Sequence, residues 1–411
     1  MTFKTNCSMN RIIQKPTAIS SLYTIFVILI PYFSKFASGV SGLQLSDIIL
    51  VCFWVCALVQ IRDIRLDKNM LIIPLLTFII ISTIDMLFVN NQSELFDVCV
   101  RLARFAFYIL SVAVLSSALF NVDKAMKWIE VIGYVFTGYL FLQYISYFVF
   151  GYTLRGNFGI LNLYISEYES VDYALVYSSH FFRPTSLLLE PAHYARYMLL
   201  ALAVSLYNPR HTKFMMTAVV FTIGIIASTS SIGLLLVILI WFYYLFGSKK
   251  KVQKKRLGKI ALTTVVLMPV IYLILVRTNT ITNVIDRLLY FGEYSIYISR
   301  LSGYLNFFSE GIWRILFGYG FGYYSGLWQS GLVIVLYGTG VIGASVLIVN
   351  LISLYRHSRS ALVRTVLLTY GGLLLGDDTL LSVITILYLS FVVCRKTIER
   401  EECNEGSLLI G

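Results

Sequence analysis

The sequence predicts an all-α membrane protein with about twelve transmembrane helices, and three observations support this prediction. Hydrophobic residues make up 58% of the 411 residues and charged residues only 13%, against roughly 25% charged in soluble domains. Apolar runs of about 17 to 22 residues recur along the chain, which is the length that crosses the hydrocarbon core of a bilayer. Lys and Arg are concentrated in alternate connections between these runs. A water-soluble enzyme fold is therefore excluded.

The apolar runs define the expected helices, and the whole chain, 1–411, is expected to form a single integral membrane domain. The N-terminus, with Lys4, Arg11 and Lys15 before the first apolar run, is expected in the cytoplasm, and an even number of crossings then places the C-terminus there as well. The predicted helices lie near 19–38, 44–61, 70–89, 98–119, 128–150, 190–206, 213–228, 231–247, 260–276, 330–352, 362–376 and 379–394.

The distribution of cations tests this topology. Of the 33 Lys and Arg residues, 23 fall in predicted cytoplasmic segments, seven in external segments and three within helices. This asymmetry is what the positive-inside rule requires. It explains the net charge of +12 without a nucleic-acid partner. The run 249-KKKVQKKR-256 is interpreted as a topology anchor, with binding to anionic lipid headgroups as the alternative.

Two predicted external loops are long, 151–189 and 277–329. Both combine Tyr, Phe and Gly with polar residues, which is unlike the composition of a disordered linker. We expect them to fold onto the outer membrane face, with a short interfacial helix near 298–309. The glycine-rich segment 318-GYGFGYYSG-326 is expected to turn tightly where the backbone approaches a ligand or a neighbouring helix.

The segment 183-RPTSLLLEPAHYARY-197 is the most informative one. Pro191 suits the first turn of a helix, and a carboxylate at Glu190 is favoured near the helix N-terminus. Glu190, His193 and Arg196 are three residues apart, so they lie near one helix face. Ionisable groups at a membrane boundary are costly unless they are paired or used. We favour a catalytic or substrate-binding role over the alternative, a helix cap with an ion pair between Glu190 and Arg196.

Arginines dominate the other predicted sites. Arg101 and Arg104 share a face at the external end of the helix near 98–119, which indicates an anion site, with snorkelling to headgroups as the alternative. Six of the seven external cations are Arg, whose planar fork binds phosphate through two parallel hydrogen bonds. Arg183 and Arg300 are the best candidates for phosphate ligands, because of the motifs around them.

Some polar residues have plainer interpretations. Asp377 and Asp378 suit a tight external turn, with a contribution to an acidic site as the alternative. The segment 228-STSSIG-233 suits an external turn whose Ser and Gly residues reach ligand oxygens, or a turn without a ligand. The sequence contains no phosphate-binding loop and no HExxH motif, and no convincing external cluster of metal ligands. We expect neither a nucleotide cofactor nor a metal, with a carboxylate-bound metal as the alternative.

The segment Arg183-Pro-Thr-Ser-Leu-Leu-Leu-Glu190-Pro191-Ala-His193 resembles the Arg-Pro-Ser-Ser-x-x-x-Glu-Pro-Ala-His pattern of the O-antigen and capsular polysaccharide polymerases. These polymerases form the Wzy family within the O-antigen ligase/polymerase group. A weaker resemblance runs from Arg300 to 336-LYGTGVIG-343. The layout is similar over most of the chain. The turn at 228–233 lacks the Arg of the group's short Ser-Arg-Gly stretch.

This resemblance implies a GT-C-like glycosyltransferase in the bacterial inner membrane that needs no metal or other cofactor. It would join undecaprenyl-pyrophosphate-linked oligosaccharide repeat units on the periplasmic face, in the synthesis of lipopolysaccharide or capsule. Its partners would be these lipid-linked glycans, the lipid bilayer, and a chain-length regulator and other polysaccharide assembly proteins.

The resemblance also implies roles for the candidate residues. Glu190 is the first candidate for the general base that activates the acceptor hydroxyl, and His193 is the second. The arginines would bind the pyrophosphate or support its binding. Arg183 and Arg300 would contact it, and the supporting residues would be Arg196, Arg101 and Arg104.

Three other functions stay open. An O-antigen ligase typically has a His before the helix that follows the second loop, and 327-LWQSG-331 contains none. A lipid-linked oligosaccharide flippase or another secondary transporter places charges at mid-membrane and shows paired halves, whereas the unusual charges here lie at the external boundary. A membrane acyltransferase needs a His deep in a helix, and His193 is the only candidate.

Overall fold

A computed structural model of the chain describes residues 18–40, 43–60, 69–88, 92–158, 161–164, 182–208, 214–247, 296–321, 323 and 330–399. These ranges are helical and contain no strand beyond two isolated bridges. The helices are α1 (Ala18–Phe33), α2 (Leu45–Gln60), α3 (Asn69–Phe88), α4 (Gln92–Ser111), α5 (Val122–Phe150), α6 (Pro191–Tyr207), α7 (Phe214–Ala227), α8 (Ser231–Phe242), α9 (Ile296–Phe308), α10 (Ile312–Phe317), α11 (Gly331–His357), α12 (Ala361–Gly376) and α13 (Ile384–Val393).

The predicted helices correspond to observed ones throughout the described ranges, and 260–276 lies outside them. The interfacial helix predicted near 298–309 corresponds to α9. Helix α4 continues through a π-helical turn, Val112–Ser116, to Leu119. Three helices in these ranges are long and apolar enough to cross a membrane, Val98–Leu119, α5 and α11, and the other apolar helices are shorter. The number of crossings and their orientation therefore stay predictions.

Helix α6 lies at the centre of the helix bundle. From Tyr194 to Leu206 nearly every side chain is buried, and the helix packs against α5, α7, α8 and α12. A helix that is apolar on all sides requires neighbours on all sides. Its first turn, with His193 and Arg196, therefore lies where several helices meet.

One end of the bundle carries the first long loop, and we call it the first-loop end. It is defined by the end of α1 and the start of α2, and by the end of α5 and the start of α6. Antiparallel bridges pair Phe36 with Leu163 and Ala37 with Gln44. The connection after α1 is thus joined directly to the first loop.

The glycine-rich segment packs against a break in α11. Gly340 interrupts that helix with φ 64° and ψ −170°, a region that only glycine adopts readily. A Cβ at Gly340 would overlap the backbone of Leu316, and a Cβ at Gly318 would lie 2.6 Å from the carbonyl oxygen of Tyr337. The expected close approach of this segment to a neighbouring helix is confirmed at Gly318.

We expect Gly340→Ala to destabilise the protein by about 1–3 kcal/mol or more, because it adds backbone strain to a steric clash. The matched control is Gly138→Ala, since Gly138 lies in α5 and a Cβ there has open space around it. Thermal unfolding of the purified protein in detergent measures both. Equal midpoints for the two variants would contradict this explanation of the break in α11.

Candidate functional site

The candidate site is built on the segment that leads into α6. Glu190 is the N-cap residue, with an extended backbone (φ −136°, ψ 154°), and Pro191 occupies the first helical position as predicted. The Glu190 side chain makes no capping hydrogen bond; only its backbone carbonyl accepts one, from the N–H of Tyr194 at 3.1 Å. The half-buried Glu190 carboxylate is thus not used as a hydrogen-bond acceptor for the N-terminus of α6.

Arg196 forms a buried ion pair across the bundle. Its Nε and one Nη donate to the two carboxylate oxygens of Asp377, and the same Nη donates to Asp378 at 2.7 Å. Asp377 is 2% exposed, whereas the side chain of Asp378 is 54% exposed. The alternative of a Glu190–Arg196 ion pair is therefore wrong. Asp377 and Asp378 do lie in a tight turn, between α12 and a short 3₁₀ helix at Thr379–Leu381. They also neutralise Arg196, which requires this where it is buried.

The backbone carbonyl groups of Arg196 and Asp377 accept hydrogen bonds from other helices. The hydroxyl of Tyr388 on α13 donates to the carbonyl oxygen of Arg196 at 2.7 Å. The N–H of Gly331, at the start of α11, donates to the carbonyl oxygen of Asp377 at 2.7 Å. The ion pair thus lies where α6, α11, α12 and α13 meet.

His193 lies between groups of both charges. It interacts electrostatically with Glu190 and Arg196 on its own helix and with Asp378 on the connection after α12. Partial desolvation by the surrounding helices would raise the pKa of Asp378, but Arg196 and His193 lower it below its ordinary value, so this carboxyl is ionised at neutral pH. We call Glu190, His193, Arg196, Asp377 and Asp378 the α6 cluster.

Arg183 lies beside the turn that precedes α8. Its Nε is 3.4 Å from the hydroxyl oxygen of Thr229, which has a left-handed backbone with φ 58°. Ser230 caps α8 by accepting from the N–H of Gly233, and a Cβ at Gly233 would lie 2.8 Å from that of Ala195. The structure therefore brings Arg183, the 228–233 turn and the start of α6 together, which the sequence analysis did not predict.

Buried polar groups fix the chain before Glu190. Ser186 donates its N–H to Gln143 at 2.8 Å and its hydroxyl to the carbonyl oxygen of Phe136 at 2.6 Å. The ammonium group of Lys35, which is 2% exposed, donates to the carbonyl oxygens of Gly156 at 3.0 Å and Leu187 at 2.7 Å. Both ends of the first loop are thus attached to the end of α1.

Arg104 belongs to a second polar group at the same end of the bundle. It forms an ion pair with Asp47 at 2.8 Å, its Nε donates to the hydroxyl of Tyr108 at 2.7 Å, and it lies 6.0 Å from the ring of Tyr164 in the first loop. Arg104 is therefore already neutralised by Asp47, a residue that the sequence analysis did not single out. Arg101 is half-buried on the same helix, and the anion site stays a prediction for both.

Helix α9 carries Arg300 to the neighbourhood of the α6 cluster. Tyr304, one turn after Arg300, contacts the Ser330 hydroxyl at 2.9 Å and donates to the carbonyl oxygen of Leu375 at 2.9 Å. The next residue after Ser330 binds the backbone of Asp377. The side chain of Arg300 lies outside the described residues, so its contact with a ligand stays a prediction.

Comparisons with known proteins gave no match, either to protein-family models or to curated sequences. Within the described ranges, no group of three or more His, Cys, Asp and Glu residues is arranged to hold a metal ion. What the site does chemically therefore has to be argued from its own residues.

We expect Arg196→Met to destabilise the protein by about 3–5 kcal/mol, because it leaves the buried Asp377 without its partner. Arg356→Met is the matched control, since Arg356 is exposed at the end of α11, and surface changes usually stay within about 0.5 kcal/mol. Denaturant unfolding in detergent measures the difference. A stability of Arg196→Met equal to that of the control would show that the ion pair is dispensable.

Proposed function

We propose that this protein is a polysaccharide polymerase of the bacterial inner membrane, a metal-independent glycosyltransferase that joins lipid-linked oligosaccharide repeat units on the periplasmic face. The observation that carries the proposal is the placement of Arg183, Glu190 and His193 around the first turn of the central helix α6, beside the N-terminus of α8. These residues are the charged members of the motif that resembles the Wzy family.

The chemistry of the proposed reaction suits these groups. The leaving group is undecaprenyl pyrophosphate, whose negative charge increases as the glycosidic bond breaks. Arg183, and Arg300 on the nearby α9, would stabilise that charge in the transition state. A helix N-terminus also favours an anion. Arg196 would act indirectly, because Asp377 and Asp378 already accept from its guanidinium, and Arg104 has Asp47 as its partner.

The acceptor is the sugar hydroxyl of a second lipid-linked repeat unit, and its attack requires removal of a proton. A general base contributes about 10²–10⁴-fold to such a step. Glu190 is the first candidate because its carboxylate makes no capping hydrogen bond and it ends the fixed segment before α6. His193, one turn further on, is the second.

A lipid-linked oligosaccharide flippase or other transporter is the second candidate, and the break in α11 favours it. Transporters often bind substrate at discontinuous helices. In this protein, however, the break at Gly340 is packed against the backbone of Leu316 and Phe317. The space beside the break in α11 is thus occupied by the protein's own backbone and not left for a substrate. This supports the polymerase over the transporter. An O-antigen ligase shares the proposed chemistry and differs in its acceptor.

The proposal requires the first-loop end to face the periplasm, with both termini and the α11–α12 connection in the cytoplasm. In a variant with all six cysteines replaced by Ser, we expect Tyr152→Cys to react with a membrane-impermeant maleimide in spheroplasts. Tyr152 is 63% exposed in the first loop. Arg356→Cys should react only after the membrane is opened. The reverse pattern would exclude a periplasmic site.

We expect Glu190→Gln and Arg183→Ala to leave surface glycans with a single repeat unit at normal protein levels, because a general base or a pyrophosphate ligand is lost. Gel analysis of cell-surface polysaccharide measures chain length. Arg155→Ala is the matched control, since Arg155 is an exposed arginine of the same loop, and it should keep full-length chains.

The outcome also separates the candidate functions. Loss of a flippase or a ligase leaves no surface glycan, whereas loss of a polymerase leaves one repeat unit. Full-length chains in both Glu190→Gln and Arg183→Ala would refute the site. The decisive experiment is incubation of the purified protein with synthetic lipid-linked repeat units, for which the polymerase proposal requires products of two or more units.

A further inference from the structure

The end of the bundle opposite the first-loop end carries a charged surface of its own. Helix α11 begins beside Asp377, so α11 ends, and α12 begins, at this opposite end. There the Glu399 carboxylate accepts from the N–H of Arg359 at 2.6 Å and from the hydroxyl of Ser358 at 3.3 Å. The segment after α13 is therefore fixed against the connection between α11 and α12. We call residues 358–364 and 395–399 the connection surface.

The connection surface is strongly positive. Its residues include four cations, Arg359, Arg364, Arg395 and Lys396, and one carboxylate, that of Glu399, which gives a net charge of +3. Arg359 and Lys396 are exposed, and Arg364 and Arg395 are half-buried. A fixed excess of cations over this short span of chain favours an anionic ligand.

Arg364 presents its guanidinium in a fixed position. Its Nε donates to the carbonyl oxygen of Ser358 at 2.8 Å, and its guanidinium carbon lies 5.6 Å from the centroid of the Tyr355 ring. An arginine held by two such contacts has little freedom left to lose when it binds a ligand. The planar fork of a guanidinium suits two oxygens of one phosphate, so this arginine is oriented for that group.

Aromatic side chains mark the level of the connection surface along the bundle. The ring centroids of Tyr355 and Tyr243, just after α8, are 6.5 Å apart, and those of Tyr207, at the end of α6, and Tyr244 are 5.5 Å apart. Tyrosines concentrate at the interface between membrane and water, level with the lipid headgroups. The guanidinium of Arg364, which lies over Tyr355, is thus at the level of the lipid phosphates.

An apolar stripe on α11 leads to the same place. Ile348 and Ile352 are 42% and 45% exposed, and they precede Tyr355 by seven and three residues, so the three side chains share one helix face. Because α11 is long and apolar enough to cross a membrane, this face meets lipid chains. A lipid lying along the stripe would have its phosphate beside Tyr355 and Arg364.

We propose that the connection surface binds an anionic phospholipid of the leaflet that it faces. Arg359 and Arg364 bind the phosphate, Arg395 and Lys396 raise the local positive potential, and the stripe of α11 holds an acyl chain. Basic recesses between transmembrane helices suit headgroups of this kind. The inference is independent of the proposed glycosyl transfer, because this surface and the α6 cluster lie at opposite ends of the bundle.

The cations of the connection surface also satisfy the positive-inside rule, which needs only charge near the helix ends. That rule requires neither an arginine held over an aromatic ring nor a carboxylate that joins two segments, and the structure has both. A topology signal acts while the chain inserts into the membrane. A lipid site, in contrast, binds its ligand saturably in the folded protein.

The test titrates the purified full-length protein in detergent with phosphatidylglycerol and follows the bound lipid by native mass spectrometry. We expect saturable binding to the wild type. Arg359→Gln should weaken the binding about fivefold, and Arg359→Gln combined with Arg364→Gln about thirtyfold, because each cation beside a headgroup adds to the affinity by a factor of this order.

Arg155→Gln is the matched control, since it removes the same charge from an exposed position at the first-loop end, and it should bind phosphatidylglycerol as the wild type does. Arg359→Lys keeps the charge without the planar fork and should bind with an affinity between those of the wild type and Arg359→Gln. Phosphatidylcholine has no net charge and should bind weakly, to the same extent in every variant. Inorganic phosphate should not displace phosphatidylglycerol, because it has no acyl chain for the stripe of α11.

Equal affinity of the wild type and the double variant for phosphatidylglycerol would overturn the inference. An equal loss in Arg155→Gln would overturn it too, since only the net charge would then matter, and displacement by inorganic phosphate would indicate a site for a free anion instead. If the double variant is not recovered folded, Arg359→Gln decides, because this side chain is exposed and the backbone N–H that contacts Glu399 is retained.

Discussion

The guanidinium of Arg196 lies inside the protein, and it has to be neutralised there. Asp377 and Asp378 meet this requirement from the connection after α12. Breaking a buried ion pair costs several kcal/mol, although a well-packed apolar replacement of both partners is often just as stable. We therefore infer that the role of the Arg196–Asp377 ion pair is to position helices and not to add stability. It fixes α6 against α12 and α13, and so determines where Glu190 and His193 lie.

The helices were predictable because each apolar run is long and continuous, whereas their ends depend on contacts that the runs do not contain. Helix α1 ends at Phe33 and not near 38, because the following chain forms bridges to the first loop and to Gln44. Helix α5 begins at Val122 and not near 128. The side chain of Asn121 caps it. Its first turns contain charged residues, so the apolar run that predicted the helix begins later than the helix does.

The site was predictable only in its local part. The three-residue spacing of Glu190, His193 and Arg196 places them on one helix face, and the motif brings Arg183 with them. Their partners are remote along the chain, since Asp377 is 181 residues from Arg196 and Asp47 is 57 residues from Arg104. Helical periodicity relates only residues a few positions apart, so one sequence offers no signal for either pair.

The ammonium group of Lys35 has a consequence for how this site can vary. It holds Gly156 and Leu187 at a single point, so the chain between them starts and finishes at the same place. Lengthening such a closed segment is inexpensive, because each doubling adds only about 0.6 kcal/mol of closure entropy. Under the proposed function, an exchange of that segment would change the choice of sugar while the helices beneath stay unaltered.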